Sequence, residues 1–234
     1  SNMKFSKRLI KGKLIKRYKR FFADINIKNE IITAHCPNTG SMMGLLDQNN
    51  VVWISKNNDP KRKLKYTLEI IKAKDNLVGV NTHLANKIVY EGLSNNLIKE
   101  FMNSDSIKPE VYYNKNTRFD FLVNKNDQKH YIEVKNVTLF RTNNISEFPD
   151  AVTSRGSKHL KTLVDAIKKG YKTCILFLVQ IQNMENFQIA KDIDKNYYKN
   201  YLLAKKSGVQ FLAYRCNIDT NSITIEKKLN IINE

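Results

Sequence analysis

The chain has 234 residues, 41% of them hydrophobic, which suffices for one large or two modest domains with real cores, and its formal net charge is +18. The longest apolar run, Cys174 to Val179, is too short to span a bilayer, and the basic N-terminus is followed by no apolar stretch of the kind a signal peptide needs. Three scattered cysteines (Cys36, Cys174 and Cys216) argue against a disulfide framework, so the chain reads as a reduced, cytoplasmic protein with no membrane partner. Ser1-Asn2 ahead of Met3 read as an expression remnant and are set aside. Charge is uneven: residues 1–82 hold 17 basic and 6 acidic groups, residues 83–234 hold 23 and 16, and residues 1–20 hold nine Lys and Arg with no acid. An AT-rich genome inflates lysine everywhere but does not cluster it beside aromatics. The excess points to an anionic partner, with nucleic acid first.

Leu14 to Ile27 alternates as one or two strands, Lys28-Asn29-Glu30 turns the chain, and Ile31 to His35 returns as the partner. Val51 to Ile54 and Leu64 to Ala73 supply further strands. Several short strands with little helical signal over residues 3–82 suggest a small barrel, an OB-fold as first choice. Lys13, Lys16, Arg17, Lys19 and Arg20 interleave with Tyr18 and Phe21, which suits a surface that tracks phosphates and stacks bases. Phe22 reads as core, Tyr18 equally as core or surface. Lys61, Arg62 and Lys63 form a second basic cluster after Pro60, either a phosphate grip or a solvated loop. His35 to Met42 is a tight Pro-Asn-Gly loop. It lacks zinc spacing, and Cys36 lacks a base, so it is structural or offers backbone amides to a phosphate.

Residues 83–234 change pattern. Asn81 or Thr82 caps a helix over Leu84–Leu93, and Glu110 to Tyr113 starts the strands. Thr153 to Lys169 forms a second helix closed by Gly170. Lys172 to Gln180 is an apolar, central strand. A last helix, about Asp194 to Lys206, stops at Gly208 ahead of a strand over Val209–Arg215. Helix, three strands, helix, strand, helix, strand is an α/β sandwich on a mixed sheet, and the fold class overall is α/β, or α+β.

Between these helices Arg118 to Val123 and Tyr131 to Lys135 alternate as two strands, with the turn-rich Asn124 to Lys129 between them. The period of two puts Glu133 and Lys135 on one face, and a cooperating hairpin register adds Asp120. Two carboxylates and an ammonium brought together call for a divalent cation, Mg²⁺ or Mn²⁺. The pattern resembles the PD-(D/E)XK nuclease core. Asp120 and Glu133 are then the metal ligands, with the Val134 carbonyl a third, and Lys135 steadies charge on the phosphate or positions water. Glu91 is the candidate for a further helix carboxylate in the catalytic set, with Glu100 and Glu110 behind it. Gln180 is a distant candidate, better read as a polar strand end. Arg118 shares the Asp120 face, while Arg155 and Lys158 cluster at a helix N-terminus that already favours phosphate. His159 reads first as a polar contact, and Asp150 as a helix cap or an outer ligand orienter.

Six strings resemble the sugar fermentation stimulation protein A family over nearly the whole chain. They are residues 14–21 (LIKRYKRF), 35–42 (HCPNTGSM), 61–67 (KRKLKYT), 79–86 (GVNTHLAN), 131–139 (YIEVKNVTL) and 148–160 (FPDAVTSRGSKHL). The resemblance implies an N-terminal OB-like domain (residues 3–82) and a C-terminal PD-(D/E)XK nuclease-like domain (residues 83–234). It also implies non-specific DNA binding and a regulatory link to sugar (maltose) metabolism. Three readings follow: a DNA-binding protein that retains a nuclease-like site, an active Mg²⁺- or Mn²⁺-dependent DNA nuclease, and an RNA-binding or RNA-processing factor. A homodimer suits the second, since duplex cutting takes two active sites.

Overall fold

The computed structural model describes residues 3–233, so Ser1 and Asn2 lie outside the described residues. Its N-terminal part holds β1 (Ile10–Tyr18), β2 (Phe22–Ile27), β3 (Glu30–His35), β4 (Val51–Lys56), β5 (Tyr66–Ala73) and β6 (Asn76–Gly79). Three hairpins turn on residue pairs of positive φ: Lys19-Arg20, Lys28-Asn29 and Lys74-Asp75. That geometry matches the right-handed twist of the strands. Lys19-Arg20 stands out, because neither residue has the short polar side chain that eases a left-handed backbone. The order is β3-β2-β1-β4-β5-β6, and β3 also pairs with β5 in parallel through Ala34 with Tyr66 and His35 with Thr67. Five strands thereby close into an OB-like barrel around Leu14, Ala23, Ile25, Val52, Ile54 and Leu68. Gly12 lets β1 pass over β2, since a Cβ there would lie 2.7 Å from Ile25 Cγ2.

A short 3₁₀ turn (Thr82–Leu84) leads into α1 (Ala85–Ser94), then β7 (Ser106–Tyr112), β8 (Arg118–Lys125) and β9 (Gln128–Val137). β10 (Leu139–Thr142) and β11 (Ile145–Phe148) follow, then α2 (Ser154–Lys168), β12 (Lys172–Val179) and β13 (Asn186–Ile189). The chain ends with α3 (Lys195–Lys206), β14 (Gln210–Ile218) and β15 (Ile223–Ile231). Nine strands form one mixed sheet in the order β10-β11-β13-β15-β14-β12-β9-β8-β7. β12 runs parallel to both neighbours, β9 and β14, and is buried from Thr173 onward, as its unbroken apolar run requires. Ile88 and Val89 of α1 pack with Cys174, Leu176 and Leu178 on one face. Leu160 and Leu163 of α2 and Tyr197 and Tyr201 of α3 pack with Ile175 and Phe177 on the other.

β6, β10, β11, β13 and β15 are additions to the elements expected from sequence. The first four are four residues each, too short for a periodic signal. In β15 the alternation is lost at Glu226-Lys227-Lys228. The two units meet along a seam: Gly79 N–H donates to the Gln180 carbonyl at 2.9 Å, and Gln182 N–H donates to the Leu77 carbonyl at 3.0 Å. A Cβ on Gly79 would fall 2.2 Å from Gln180 Oε1, so the approach admits only glycine without repacking.

Candidate active site

The β8–β9 hairpin turns at Asn126-Asp127, both of positive φ, and pairs from Lys125 with Gln128 to Phe121 with Ile132. There the ladder ends and the strands part. Asp120 fills the gap: its Oδ2 accepts from Val134 N–H at 2.7 Å, replacing the lost backbone partner. Its Oδ1 accepts from Asn86 Nδ2 at 2.8 Å, in the first turn of α1. Phe119 and Phe121 consequently join different core clusters although they are two residues apart.

Glu133 is 6% exposed and comes within hydrogen-bonding reach of Asp120. Burial first, then the neighbouring Asp120, raise its pKa to about 9, against the opposing pull of Lys135 and Arg155. Two residues on, Lys135 Nζ lies 2.7 Å from His159 Nδ1 on α2. Burial lowers the Lys135 pKa, and burial together with Lys135 and Arg155 lowers that of His159 to about 4. The imidazole is therefore neutral at physiological pH, with its Nδ1 within hydrogen-bond distance of Lys135 Nζ. His159 Nδ1 is also 3.6 Å from Glu133 Oε2. The acids sit in the wall of a cavity of about 690 Å³ rimmed by Arg118, Arg155 and Lys158. Thr153 caps the adjoining helix by accepting from Gly156 N–H at 2.9 Å.

Asp120, Glu133, Lys135, Arg118, Arg155 and Lys158 are thus brought together. Glu91 is not. It follows Asn86 by five residues, about 140° around the helix at 3.6 residues per turn, and it is not among the residues lining the cavity. Asn86 is the α1 residue that reaches the acids. Glu100 accepts from the Tyr214 hydroxyl and pairs with Lys228, and Glu110 is exposed on β7. Gln180 donates to Asn136 at 2.8 Å and is a buried strand end. Asp150 neither caps α2 nor reaches the acids: its Oδ2 accepts from Met42 N–H at 3.3 Å and its carbonyl accepts from Ser41 Oγ at 2.8 Å. The His35–Met42 loop is fastened between the two units, by Arg17 on one side and Asp150 on the other. Among the described residues no group of three His, Cys, Asp or Glu side chains forms a ready metal cage.

The basic residues expected to meet nucleic acid divide. Arg17 is occupied, its guanidinium donating to the carbonyls of Asn38 at 2.6 Å and Gly40 at 2.9 Å, so it braces the loop instead of presenting a charge. Lys19 and Arg20 are exposed at the hairpin tip, and Lys16 Nζ stands 5.1 Å from the Tyr18 ring centre. Lys61 and Lys63 are exposed, while Arg62 donates to Thr67 Oγ1 at 3.2 Å. Lys13 borders a shallow cavity that Lys11 and Lys28 continue into one of about 730 Å³. Lys7, Arg8, Lys11, Lys28 and Trp53 line this larger one, with no acid among its lining residues. The acid-free N-terminal twenty residues signalled it, but the part before Lys13 forms no strand pattern to orient those side chains.

Comparison with known proteins places both units. Residues 15–80 match the SfsA N-terminal OB domain, and residues 83–222 match the sugar fermentation stimulation protein RE domain. A sugar fermentation stimulation protein homolog of Pelagibacter ubique (strain HTCC1062) is 71% identical over 231 residues, covering 99% of this chain and 100% of its own. A homolog from Maricaulis maris (strain MCS10) is 41% identical and covers 98% of each. The solved structure of Pyrococcus furiosus SfsA in complex with Ca²⁺ superposes with a TM-score of 0.88 at 22% identity, over 98% of this chain and 97% of that one, which speaks to the fold. Matched by two models of one family and by full-length relatives, the chain belongs to the sugar fermentation stimulation protein (SfsA) family.

Proposed function

We propose that this protein binds DNA without sequence preference and carries a nuclease-like divalent-cation site. The observation behind the proposal is the cavity in which Asp120 and Glu133 lie under a rim of Arg118, Arg155 and Lys158. A cationic rim attracts a phosphate backbone, and an acid pair beneath it is suited to a cation bound together with that phosphate. The residues fit such an ion. Glu133 is buried against a second carboxylate, a costly arrangement that a divalent charge relieves, and Lys135 is turned to His159 instead. Asp120 uses both oxygens in hydrogen bonds, yet each keeps a second lone pair. Two carboxylates and the Val134 carbonyl, completed by waters, suit a hard cation such as Mg²⁺ or Mn²⁺. The Ca²⁺ in the Pyrococcus furiosus relative belongs to the same oxygen-seeking class.

A second reading, phosphodiester cleavage, is favoured by the intact set Asp120, Glu133 and Lys135. A bound cation would polarise the phosphate and lower the pKa of a water. The chain's own groups supply the rest. Val134 N–H and Asn86 orient Asp120, neutral His159 holds the Lys135 ammonium beside the acids, and Arg155 and Lys158 receive the flanking phosphates. Binding is tested by salt: affinity for duplex DNA should fall by orders of magnitude over a few-fold rise in salt, and salt-independent affinity would refute it. An RNA duplex titrated in parallel decides between the two polymers. Cleavage is tested on plasmid with Mg²⁺ or Mn²⁺. Activity should vanish in Asp120→Asn and Lys135→Ala, and cleavage surviving both would place the chemistry elsewhere.

A further inference from the structure

On the barrel, between β3, β4, β5 and the 3₁₀ turn, a separate cavity of about 590 Å³ is lined by thirteen residues, of which Glu69 is the only acid. Glu69 is 6% exposed. Ser55 Oγ donates to its Oε2 at 2.6 Å and Asn81 Nδ2 donates to its Oε1 at 2.9 Å. Two neutral donors fix the carboxylate at both ends. Among the described residues no cation forms an ion pair with it, although three stand nearby: Arg62 turns to Thr67, Lys56 Nζ lies 5.8 Å from the Tyr66 ring centre, and Lys7 is exposed at the rim. Burial raises the carboxyl's pKa, so the position is costly for a side chain with only a structural task. His35, kept neutral by burial and by nearby His83 and Arg62, adds a flat wall.

This places a fixed pair of acceptors in the wall and cations around the mouth. The complementary molecule has N–H donors at one end and an anion at the other. We propose that this cavity binds a single nucleotide, its base edge donating to Glu69 and its phosphate held by Lys7, Lys56 and Arg62. The volume is in the usual range for small-ligand sites. Base preference follows from donor count. Guanine presents adjacent imino and amino donors to a carboxylate, adenine and cytosine present an exocyclic amine, and thymine flanks its single N–H with carbonyls that repel it. Ser6 and Lys7 also line the basic cavity around Trp53, so a strand lying there would deliver its terminal nucleotide to Glu69.

The test is calorimetry with dGMP, dAMP, dCMP, TMP and inorganic phosphate on the full chain, with chelator present so that no divalent cation bridges a nucleotide to Asp120 and Glu133. Phosphate taken up by the Arg155–Lys158 rim is common to all four nucleotides and does not rank them. dGMP should bind roughly tenfold or more tightly than TMP, with phosphate weaker than either. Glu69→Gln should erase the discrimination between bases. Lys56→Ala, a change at an exposed rim position, should weaken every nucleotide and leave their ranking intact, which tests the site even if the Glu69 variant unfolds. A 5′-phosphorylated trinucleotide beginning with guanine distinguishes the source: tighter binding than dGMP assigns a strand end, weaker binding a free nucleotide. No heat with any nucleotide, equal affinity for all four, or wild-type ranking in Glu69→Gln would overturn the proposal. None of these results depends on whether the protein binds duplex DNA or cleaves it.

Discussion

Glu133 and His159 are displaced from ordinary protonation in opposite directions, and each leaves its own mark on stability. Unfolded, Glu133 loses its proton near pH 4.5, and folded near pH 9. The folded chain binds the extra proton across that window, so this contribution to stability is lost as pH rises through it. His159 is protonated near pH 6.5 unfolded and only near pH 4 folded, so its contribution is lost as pH falls from 6.5 towards 4. In chelator-treated protein the thermal midpoint of Glu133→Gln should therefore exceed wild type by an amount that grows towards pH 9. The expected gain is on the order of 1–3 kcal/mol at the alkaline end. His159→Asn should instead gain on wild type only below pH 6.5. A pH-independent difference for either variant in differential scanning fluorimetry would contradict the assignment. At this scale the sequence was informative where strand periodicity spoke: Glu133 and Lys135 had to share a face. Asp120 needed an assumed register, which the broken ladder satisfies in its own way. Asn86 carried no local signal, and choosing Glu91 by its charge overlooked its angle around the helix.

Two small elements hold longer ones in place. The Asn38–Ser41 loop has no regular structure of its own, and its carbonyls are gathered by the Arg17 guanidinium on β1. Arg17→Ala should cost about 2–3 kcal/mol, read by urea denaturation. The slope of DNA affinity against salt should barely move, whereas loss of a phosphate contact would reduce it by about one. Asp194 caps α3 through Tyr197 N–H at 2.9 Å and also accepts Thr153 N–H at 2.8 Å, just ahead of α2. Asp194→Ala should therefore cost more than a single lost cap, roughly 2–4 kcal/mol against about 1 kcal/mol for Thr153→Ala. Equal losses would show that the bond to Thr153 N–H is idle. The limits of α2 and α3 were legible from such caps and from Gly170 and Gly208, both at positive φ. Asn81, expected to cap α1, instead caps the 3₁₀ turn ahead of it, and α1 starts after Leu84 without a side-chain cap. The four-residue strands were not, because they exist only where a neighbouring edge recruits them.

The two units share one apolar interior. Leu14, Ile25 and Leu68 of the barrel belong to the same cluster as Leu160, Ile175 and Phe177 of the sheet. Unfolding should then be one cooperative transition by tryptophan fluorescence, which reports Trp53 in the barrel, and by far-UV circular dichroism, which reports both units. Gly79→Val, which drives a branched side chain into Gln180, should lower both signals together by an amount worth about 1–3 kcal/mol. Separate midpoints would show that the seam is only a contact. The change from strand-rich to helix-bearing pattern near residue 82 was visible in the sequence. The joining of the two units was not, since glycine at residue 79 acquires its meaning only from Gln180 across the gap.

That tight seam has a consequence for a polymer bound in the way proposed. With Gly79 and Gln180 backbone to backbone, little play is left between the basic barrel surface and the Arg155–Lys158 rim, so the protein behaves as a ruler. A nucleic acid bound as proposed would itself have to bend, so pliable or frayed stretches should seat where stiff ones do not.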